Sequence, residues 1–162
     1  MKKTFFSIVL FLGIVASMQA QEISKNAIGI RIGDNDGFGT EVNYQRALGD
    51  NNRLELGLGW RSADNFDAIR LTGLYQWVWN LDGGFNWYAG VGASGGFFDF
   101  DNGIFDDDIN ESFLNAAGTV GIEYNFDFPL LLSLDFRPEI GIINDIDDNL
   151  EFDIALSIRY QF

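Results

Sequence analysis

Acidic side chains are the most frequent groups in this 162-residue chain that could do chemistry. Asp and Glu number 24 against 10 Lys and Arg, which gives a net charge of −14. The chain has no histidine and no cysteine. A Ser-His-Asp or Cys-His centre therefore cannot be built, and disulfides and thiolate zinc sites are excluded. A pair of carboxylates acting on a glycosidic bond is the catalytic arrangement that remains possible.

Two local motifs resemble known binding loops but fail on detail. Residues 99–103 alternate oxygen-bearing side chains as a calcium loop does, yet the required glycine is out of place and no Glu occupies the closing position. The Gly-x-Gly pairs at 57/59 and 90/92 lie inside alternating segments, where they relieve crowding instead of cradling phosphate. We therefore predict no catalytic, cofactor-binding or metal-binding residues, no cofactor and no enzymatic activity.

The overall composition limits the class of protein and partner. A nucleic-acid partner would need a basic face, and the strong acidic balance argues against one. The 19 glycines and frequent aromatic residues favour β structure over a helical bundle. The length suits one domain.

Residues 1–20 have the features of a secretory signal peptide. Lys2 and Lys3 precede an apolar run over residues 5–15, and small residues follow as far as Ala20. The run is short for a transmembrane helix, and an uncleaved membrane anchor is the alternative. We predict cleavage after Ala20, which leaves residues 21–162 as a single β-barrel domain.

Residues 150–162 alternate without a break between two kinds of side chain, as a β-strand with two unlike faces does. The apolar positions are Phe152, Ile154, Leu156, Ile158, Tyr160 and Phe162. A long final strand that ends on Phe, with an aromatic residue two positions earlier, resembles the terminal strand of bacterial outer-membrane β-barrel proteins. That resemblance implies that Tyr160 and Phe162 form an assembly signal for the barrel-assembly machinery.

Seven further segments alternate in the same way, which predicts eight antiparallel strands in a meander. They cover residues 27–33, 38–47, 53–61, 67–80, 85–95, 113–126 and 130–139. Connections after the second, fourth and sixth strands are tight. Those after the third, fifth and seventh, residues 62–66, 97–111 and 141–149, are predicted to be longer loops. The pattern predicts an all-β, eight-stranded, up-and-down transmembrane β-barrel.

Alternation alone does not say which face points outward, because a soluble lipocalin-like barrel turns its apolar face inward. Three features favour an apolar exterior: no Lys follows Lys25, aromatic residues lie near strand ends on the apolar face, and charges on the polar face nearly balance. The aromatic residues are Tyr44, Trp60, Tyr124, Tyr160 and Phe162. The polar-face charges are Arg31, Arg53, Arg61, Arg70, Arg137 and Arg159 against Glu41, Glu55, Glu123, Asp135, Glu139, Glu151 and Asp153.

The excess of acidic residues falls in four connections that are predicted to be external. They are Asp34, Asp36, Asp64, Asp67, Asp99, Asp101, Asp106, Asp107, Asp108, Glu111, Asp145, Asp147 and Asp148. Solvation of exposed loops explains them simply. The sharper interpretation is that divalent cations bridge these carboxylates to lipopolysaccharide phosphates or to another cell's surface.

The mature chain is therefore similar to the small outer-membrane barrels of the OmpX, OmpA-transmembrane-domain and OmpW-like class. The resemblance implies a Gram-negative cell envelope, export by the signal peptide, and outer-membrane lipid and lipopolysaccharide as partners. The resemblance also implies that outer-membrane barrel enzymes of the lipase, lipid-A-modifying and protease kinds rely on a catalytic histidine, which this chain lacks. We expect a structural or surface-interaction role, such as envelope integrity, adhesion or cation-mediated contact. A narrow, porin-like channel or carrier, and a soluble periplasmic ligand-binding barrel, are the alternatives; the oligomeric state is left open.

Overall fold

The computed structural model describes residues 23–33, 39–63, 66–100, 109–144 and 150–162. The predicted signal peptide lies outside this part of the chain. Alternating apolar and polar residues form eight strands, because each face of an extended chain carries every second side chain. The strands are β1 (Asn26–Gly33), β2 (Thr40–Ala47), β3 (Asn52–Ala63), β4 (Phe66–Asp82), β5 (Phe85–Phe100), β6 (Ile109–Asn125), β7 (Leu130–Asn144) and β8 (Leu150–Gln161).

The eight strands form one closed antiparallel barrel. Each strand pairs with the next along the chain, and β1 closes the ring against β8 through the register Ile28↔Tyr160. The predicted fold is thereby confirmed. No helix in the described part of the chain is long and apolar enough to cross a membrane.

The barrel has two unlike ends. Asn26 and Phe162 lie at one end, which we call the terminal end, together with the β2–β3, β4–β5 and β6–β7 turns. Only Gly83 and Gly84 separate β4 from β5, and Gly83 has the left-handed φ of 54° that a turn this tight requires. The other four connections leave from the opposite end, which we call the loop end.

Five strands extend further toward the loop end than their sequence predicts. β3 and β4 pair as far as Ala63↔Phe66, so the predicted loop over residues 62–66 is largely strand. β5 and β6 pair as far as Phe100↔Ile109, and β7 continues to Asn144. The loops predicted over residues 97–111 and 141–149 are therefore too long, since residues 97–100, 109–111 and 141–144 belong to strands. Ladder pairing with a neighbouring strand outweighs the weak strand propensity of Asp, Asn and Gly.

The outer wall is apolar and the enclosed lumen is polar. Large apolar side chains are exposed around the outside of seven of the eight strands; among them are Ile28, Ile30, Leu56, Leu58, Leu71, Val91, Val120, Leu134, Leu156 and Ile158. Buried positions on the other face carry Arg, Glu, Asp, Asn, Gln, Ser and Thr. This distribution is the reverse of a soluble ligand-binding barrel, whose apolar face lines the interior.

Candidate functional site

Among the residues whose side chains the structure describes, eleven charged side chains in the lumen are almost completely buried. They are Arg31, Arg53, Arg70, Arg137 and Arg159, with Glu41, Glu55, Glu123, Asp135, Glu139 and Asp153. Nine-tenths or more of each is removed from solvent, so an unpaired charge here would be costly. Arg61 and Glu151 were predicted to belong to the same enclosed set, but both are exposed. They occupy the loop-end portions of β3 and β8, where the lumen opens.

Glu55 is the centre of the network near the terminal end. Its Oε1 lies 3.2 Å from Nη2 of Arg137, and its Oε2 lies 3.2 Å from Nη2 of Arg159. Gln45 donates a further hydrogen bond to Oε2 at 2.6 Å. Two guanidinium groups therefore share one carboxylate that is carried on a strand across the lumen from both.

Arg137 connects this centre to the next level of the lumen. Its Nη1 lies 3.1 Å from Oε2 of Glu41, so one guanidinium from β7 contacts acids on β2 and β3. Arg31 forms a second such bridge. Its Nη2 lies 2.7 Å from Asp135 Oδ1, and its Nη1 lies 2.6 Å from Asp153 Oδ2. Together these contacts fill the middle of the barrel with charge-assisted bonds.

Each end of the network has its own ion pair. At the terminal end, Arg53 Nη2 lies 2.8 Å from Glu123 Oε2, and the Arg53 guanidinium stacks 4.7 Å above the Tyr88 ring. A small recess, lined by both Arg53 and Glu123, opens to solvent at this end. Toward the loop end, Arg70 pairs with Glu139, which also accepts hydrogen bonds from Ser94 at 2.5 Å and Asn115 at 3.2 Å.

All six buried acids are thus engaged by an arginine. A glycosidase-like pair would need one carboxyl group free to donate a proton and another free to attack, and neither condition is met in this network. The described residues also contain no group of three metal-ligating side chains that could hold a metal ion. What the arrangement does chemically is cross-link opposite walls and obstruct the lumen.

Aromatic residues concentrate on the outer face at the terminal end. The rings of Trp79 and Trp87 stack at 4.3 Å, and those of Tyr160 and Phe162 stack at 6.2 Å. The outward positions predicted for Trp60, Tyr160 and Phe162 are confirmed, since more than half of each side chain is exposed. Tyr160 and Phe162 lie at the terminal end, whereas Trp60 lies near the loop end of β3. Amphipathic rings at either level suit a boundary between hydrocarbon and lipid headgroups.

Most of the predicted acidic loop residues lie outside the described part of the chain. They are Asp34, Asp36, Asp64, Asp101, Asp106, Asp107, Asp108, Asp145, Asp147 and Asp148. The remaining three, Asp67, Asp99 and Glu111, lie in strands at the loop end. The register of β4 and β5 places Asp67 directly opposite Asp99.

One charged residue of the outer wall was missed by the sequence analysis. Arg46 follows Thr40, Val42 and Tyr44 on the outward face of β2, and its side chain is exposed. The same period-2 alternation that identified the strand assigns Arg46 to the apolar face. The signal was therefore available in the sequence.

Comparison with solved structures finds the same fold in small outer-membrane barrels. The N-terminal β-barrel domain of Pseudomonas aeruginosa OprF aligns with a TM-score of 0.66 and 14% identity, covering 87% of this chain and 98% of that one. Neisserial surface protein A aligns with a TM-score of 0.61 and 11% identity, covering 85% and 94%. Ail, the attachment invasion locus protein of Yersinia pestis, aligns with a TM-score of 0.59 and 16% identity, covering 86% and 97%. No protein-family model matches the chain, and no curated protein matches it.

Proposed function

We propose that this chain is a non-enzymatic β-barrel of the bacterial outer membrane, with a structural or surface-interaction role. The observation that carries the proposal is the inverted distribution of side chains, with a continuous apolar wall outside and a paired ionic network inside. An exposed apolar surface of this extent is unfavourable in water and favourable in hydrocarbon. A closed sheet also pairs its backbone groups within the wall, as the bilayer core requires.

Cell fractionation combined with electrophoresis tests the location. Outer membranes extracted in detergent are run boiled and unboiled, since a closed barrel resists detergent at room temperature and migrates differently until it is heated. We expect a mobility shift and recovery in the outer-membrane fraction. Recovery in the soluble periplasmic fraction without a shift would refute the location. N-terminal sequencing of the same band tests the predicted cleavage after Ala20.

The proposed surface role is cation-mediated contact through the acidic residues of the loop end. The register pairs Asp67 on β4 with Asp99 on β5, so two acidic residues occupy facing positions at the loop end. Hard divalent cations prefer carboxylate oxygens and can bridge them to phosphate. Ail has been crystallised with the heparin analogue sucrose octasulfate, a polyanion. The acidic loops of this chain favour an anionic partner only when a cation lies between them.

A binding assay on the folded barrel tests that role. Binding to lipopolysaccharide is measured with calcium and with a chelator, for the wild type and for Asp67→Asn/Asp99→Asn. We expect calcium to strengthen binding and the double variant to lose part of that gain. Asp50→Asn/Asp127→Asn is the matched control, because it removes two acids from turns at the terminal end. Equal binding with and without calcium would refute cation-mediated contact.

The C-terminal strand is proposed to be the part that the barrel-assembly machinery recognises. Tyr160 and Phe162 stack on the outer face of β8, and Phe162 is anchored to β1 by backbone hydrogen bonds with Asn26 at 3.0 and 3.1 Å. Deleting Phe162 is expected to lower the amount of heat-modifiable barrel in the outer membrane while leaving spontaneous folding in detergent largely intact. Equal loss in both assays would indicate a structural role instead.

A narrow channel or carrier is the second candidate, because the lumen is polar and a small recess opens at its terminal end. The ion pairs of Arg31, Arg137 and Arg159 obstruct the route beyond that recess. We therefore place this candidate behind the structural role.

A further inference from the structure

Arg46 is the one basic side chain that faces outward from the strands, among the residues whose side chains the structure describes. The other arginines of the strands point into the lumen or lie at its loop-end mouth. An arginine on the outer wall of a membrane barrel is strongly unfavourable at the bilayer midplane and costs little near the headgroups. Arg46 lies one residue from the end of β2 at the terminal end, so it is placed at the level of the headgroups.

The residues around Arg46 form a small outward-facing patch on three adjacent strands, which we call the seam patch. Its two rows follow from the register: Tyr44, Ile28 and Tyr160 above, and Arg46, Asn26 and Phe162 below. Tyrosines on both sides of the upper row mark the boundary of the apolar wall. Arg46 therefore lies at the edge of the apolar wall, one row beyond these tyrosines.

Asn26 fixes the position of the guanidinium. Its Oδ1 accepts hydrogen bonds from Arg46 Nη1 at 2.9 Å and from the Tyr44 hydroxyl at 2.8 Å. Its Nδ2 donates to the backbone oxygen of Phe162 at 3.3 Å. Only one of the three guanidinium nitrogens is used by these bonds, and the Arg46 side chain remains exposed. A held, exposed guanidinium can donate two parallel hydrogen bonds to a phosphate.

We propose that the seam patch binds the phosphate of an anionic phospholipid, of the phosphatidylglycerol class, in the leaflet at the terminal end. The inference rests on the proposed membrane location and extends it to one headgroup site. Charge complementarity favours an anionic headgroup, because a zwitterionic headgroup brings its own cation to the same place. The apolar wall above Arg46 receives the acyl chains of the same lipid.

Native mass spectrometry tests the proposal. The folded barrel is released from micelles that contain equal amounts of phosphatidylglycerol and phosphatidylcholine, and the ratio of the two retained lipids is measured. One basic residue at an anionic surface contributes enough to predict a ratio about fivefold higher for the wild type than for Arg46→Gln. Arg61→Gln is the matched control, since it removes the same charge from an exposed arginine at the loop end.

Each outcome decides for or against the seam patch. Loss of phosphatidylglycerol preference in Arg46→Gln, with preference kept in Arg61→Gln, supports it. Equal behaviour of the two variants, or displacement of the lipid by inorganic phosphate, overturns it. If Arg46→Gln fails to fold, Arg46→Lys is measured instead; a reduced preference supports a guanidinium–phosphate contact and an unchanged one contradicts it.

The proposed location can fail separately. A protein that shows no heat-dependent mobility shift and does not insert into vesicles is not a membrane barrel, and the location and the lipid site are then both refuted. A protein that shifts and inserts but has no lipid preference keeps its membrane location and loses only the lipid site. Asn26→Ala adds a further check, because it releases the guanidinium without removing its charge and is expected to weaken the preference.

Discussion

The carboxyl group of Glu41 on β2 lies directly over Gly57 on β3. A Cβ atom on Gly57 would be 2.5 Å from the Glu41 carboxyl carbon, which is far inside van der Waals contact. Glu41 in turn binds Arg137 across the lumen. A Cβ atom on Gly29 would meet the backbone of Ile158 and Arg159 first, and would also be 2.8 Å from Cγ of Arg159. The lumen thus provides space for charged side chains by placing glycine beneath them.

Gly57→Ala is expected to destabilise the barrel. The added methyl group displaces a buried, ion-paired carboxylate, and overpacking of this kind costs about 1–3 kcal/mol. Urea-induced unfolding of vesicle-reconstituted protein measures the loss. Gly73→Ala is the matched control, because a Cβ atom there meets only Leu56 at an ordinary 3.8 Å on the outer face. Equal stability of the two variants would contradict the steric argument.

Arg137→Met is expected to cost about 3–5 kcal/mol of unfolding free energy, because it removes the guanidinium that pairs with the buried Glu41 carboxylate and one of the two that pair with Glu55. Adding Glu41→Gln removes one of those charges, so the double variant should recover part of the loss. The non-additivity of the unfolding free energies measures the coupling between the two residues. Arg61→Met serves as the surface control, with an expected change of about 0.5 kcal/mol or less. If the losses of unfolding free energy from the two single substitutions simply add in the double variant, the two residues do not interact in the folded barrel.

The wild-type barrel is expected to show no steady ion conductance in planar bilayers. Arg137 and Arg159 reach from β7 and β8 to Glu55 on β3 and obstruct the middle of the lumen. Arg137→Ala/Arg159→Ala removes both obstructions and is expected to produce discrete current steps. Steady steps from the wild type would instead favour the channel function over the structural one.

Pro138→Val is expected to stabilise the barrel by about 1 kcal/mol, the usual value of one hydrogen bond. The register of β6 and β7 runs to Ala117↔Glu139 and resumes only at Val120↔Phe136, whereas β7 remains paired with β8 through Pro138↔Phe152. Proline has no N–H to donate, which accounts for the gap on the β6 side. Hydrogen exchange at Gly118 and Thr119 should slow in the variant. Ile140→Val, an outward change on the same strand, is the control, and unchanged exchange would refute the explanation.

The eight strands and their two faces could be predicted because alternation is a local property of the chain. The predicted strand over residues 53–61 contains the charges Arg53 and Glu55 and the small Gly57 and Gly59 on one face, and all four line the barrel. The ends toward the loops could not be predicted in this way. Gly95 and Gly96 look like a break, yet Gly96 continues the strand because it is paired with Arg70 on β4 and with Phe113 on β6.

The identities of the ion pairs were also beyond local reasoning. Parity assigned Arg137 to the inner face, but its contact with Glu41 joins β7 to β2, almost a hundred positions apart in the chain. That pairing depends on how the closed sheet is sheared and on how far each side chain reaches. The position of a residue along the barrel axis is likewise not given by parity. Arg61 and Glu151 share the parity of the buried set, but they lie at the loop-end mouth of the lumen and are exposed.

The mutual backbone hydrogen bonds between Asn26 and Phe162 bring the first and last strands side by side. The ring of strands therefore has no structurally privileged starting point, and a short linker across this junction would allow the chain to be opened elsewhere. Cutting at Gly83–Gly84 would yield a circular permutant with the same neighbours around the barrel and the same lumen. In such a permutant Phe162 would no longer be the C-terminal residue, although the strand pairing would be unchanged. The stability of the barrel could then be measured separately from its assembly in the cell.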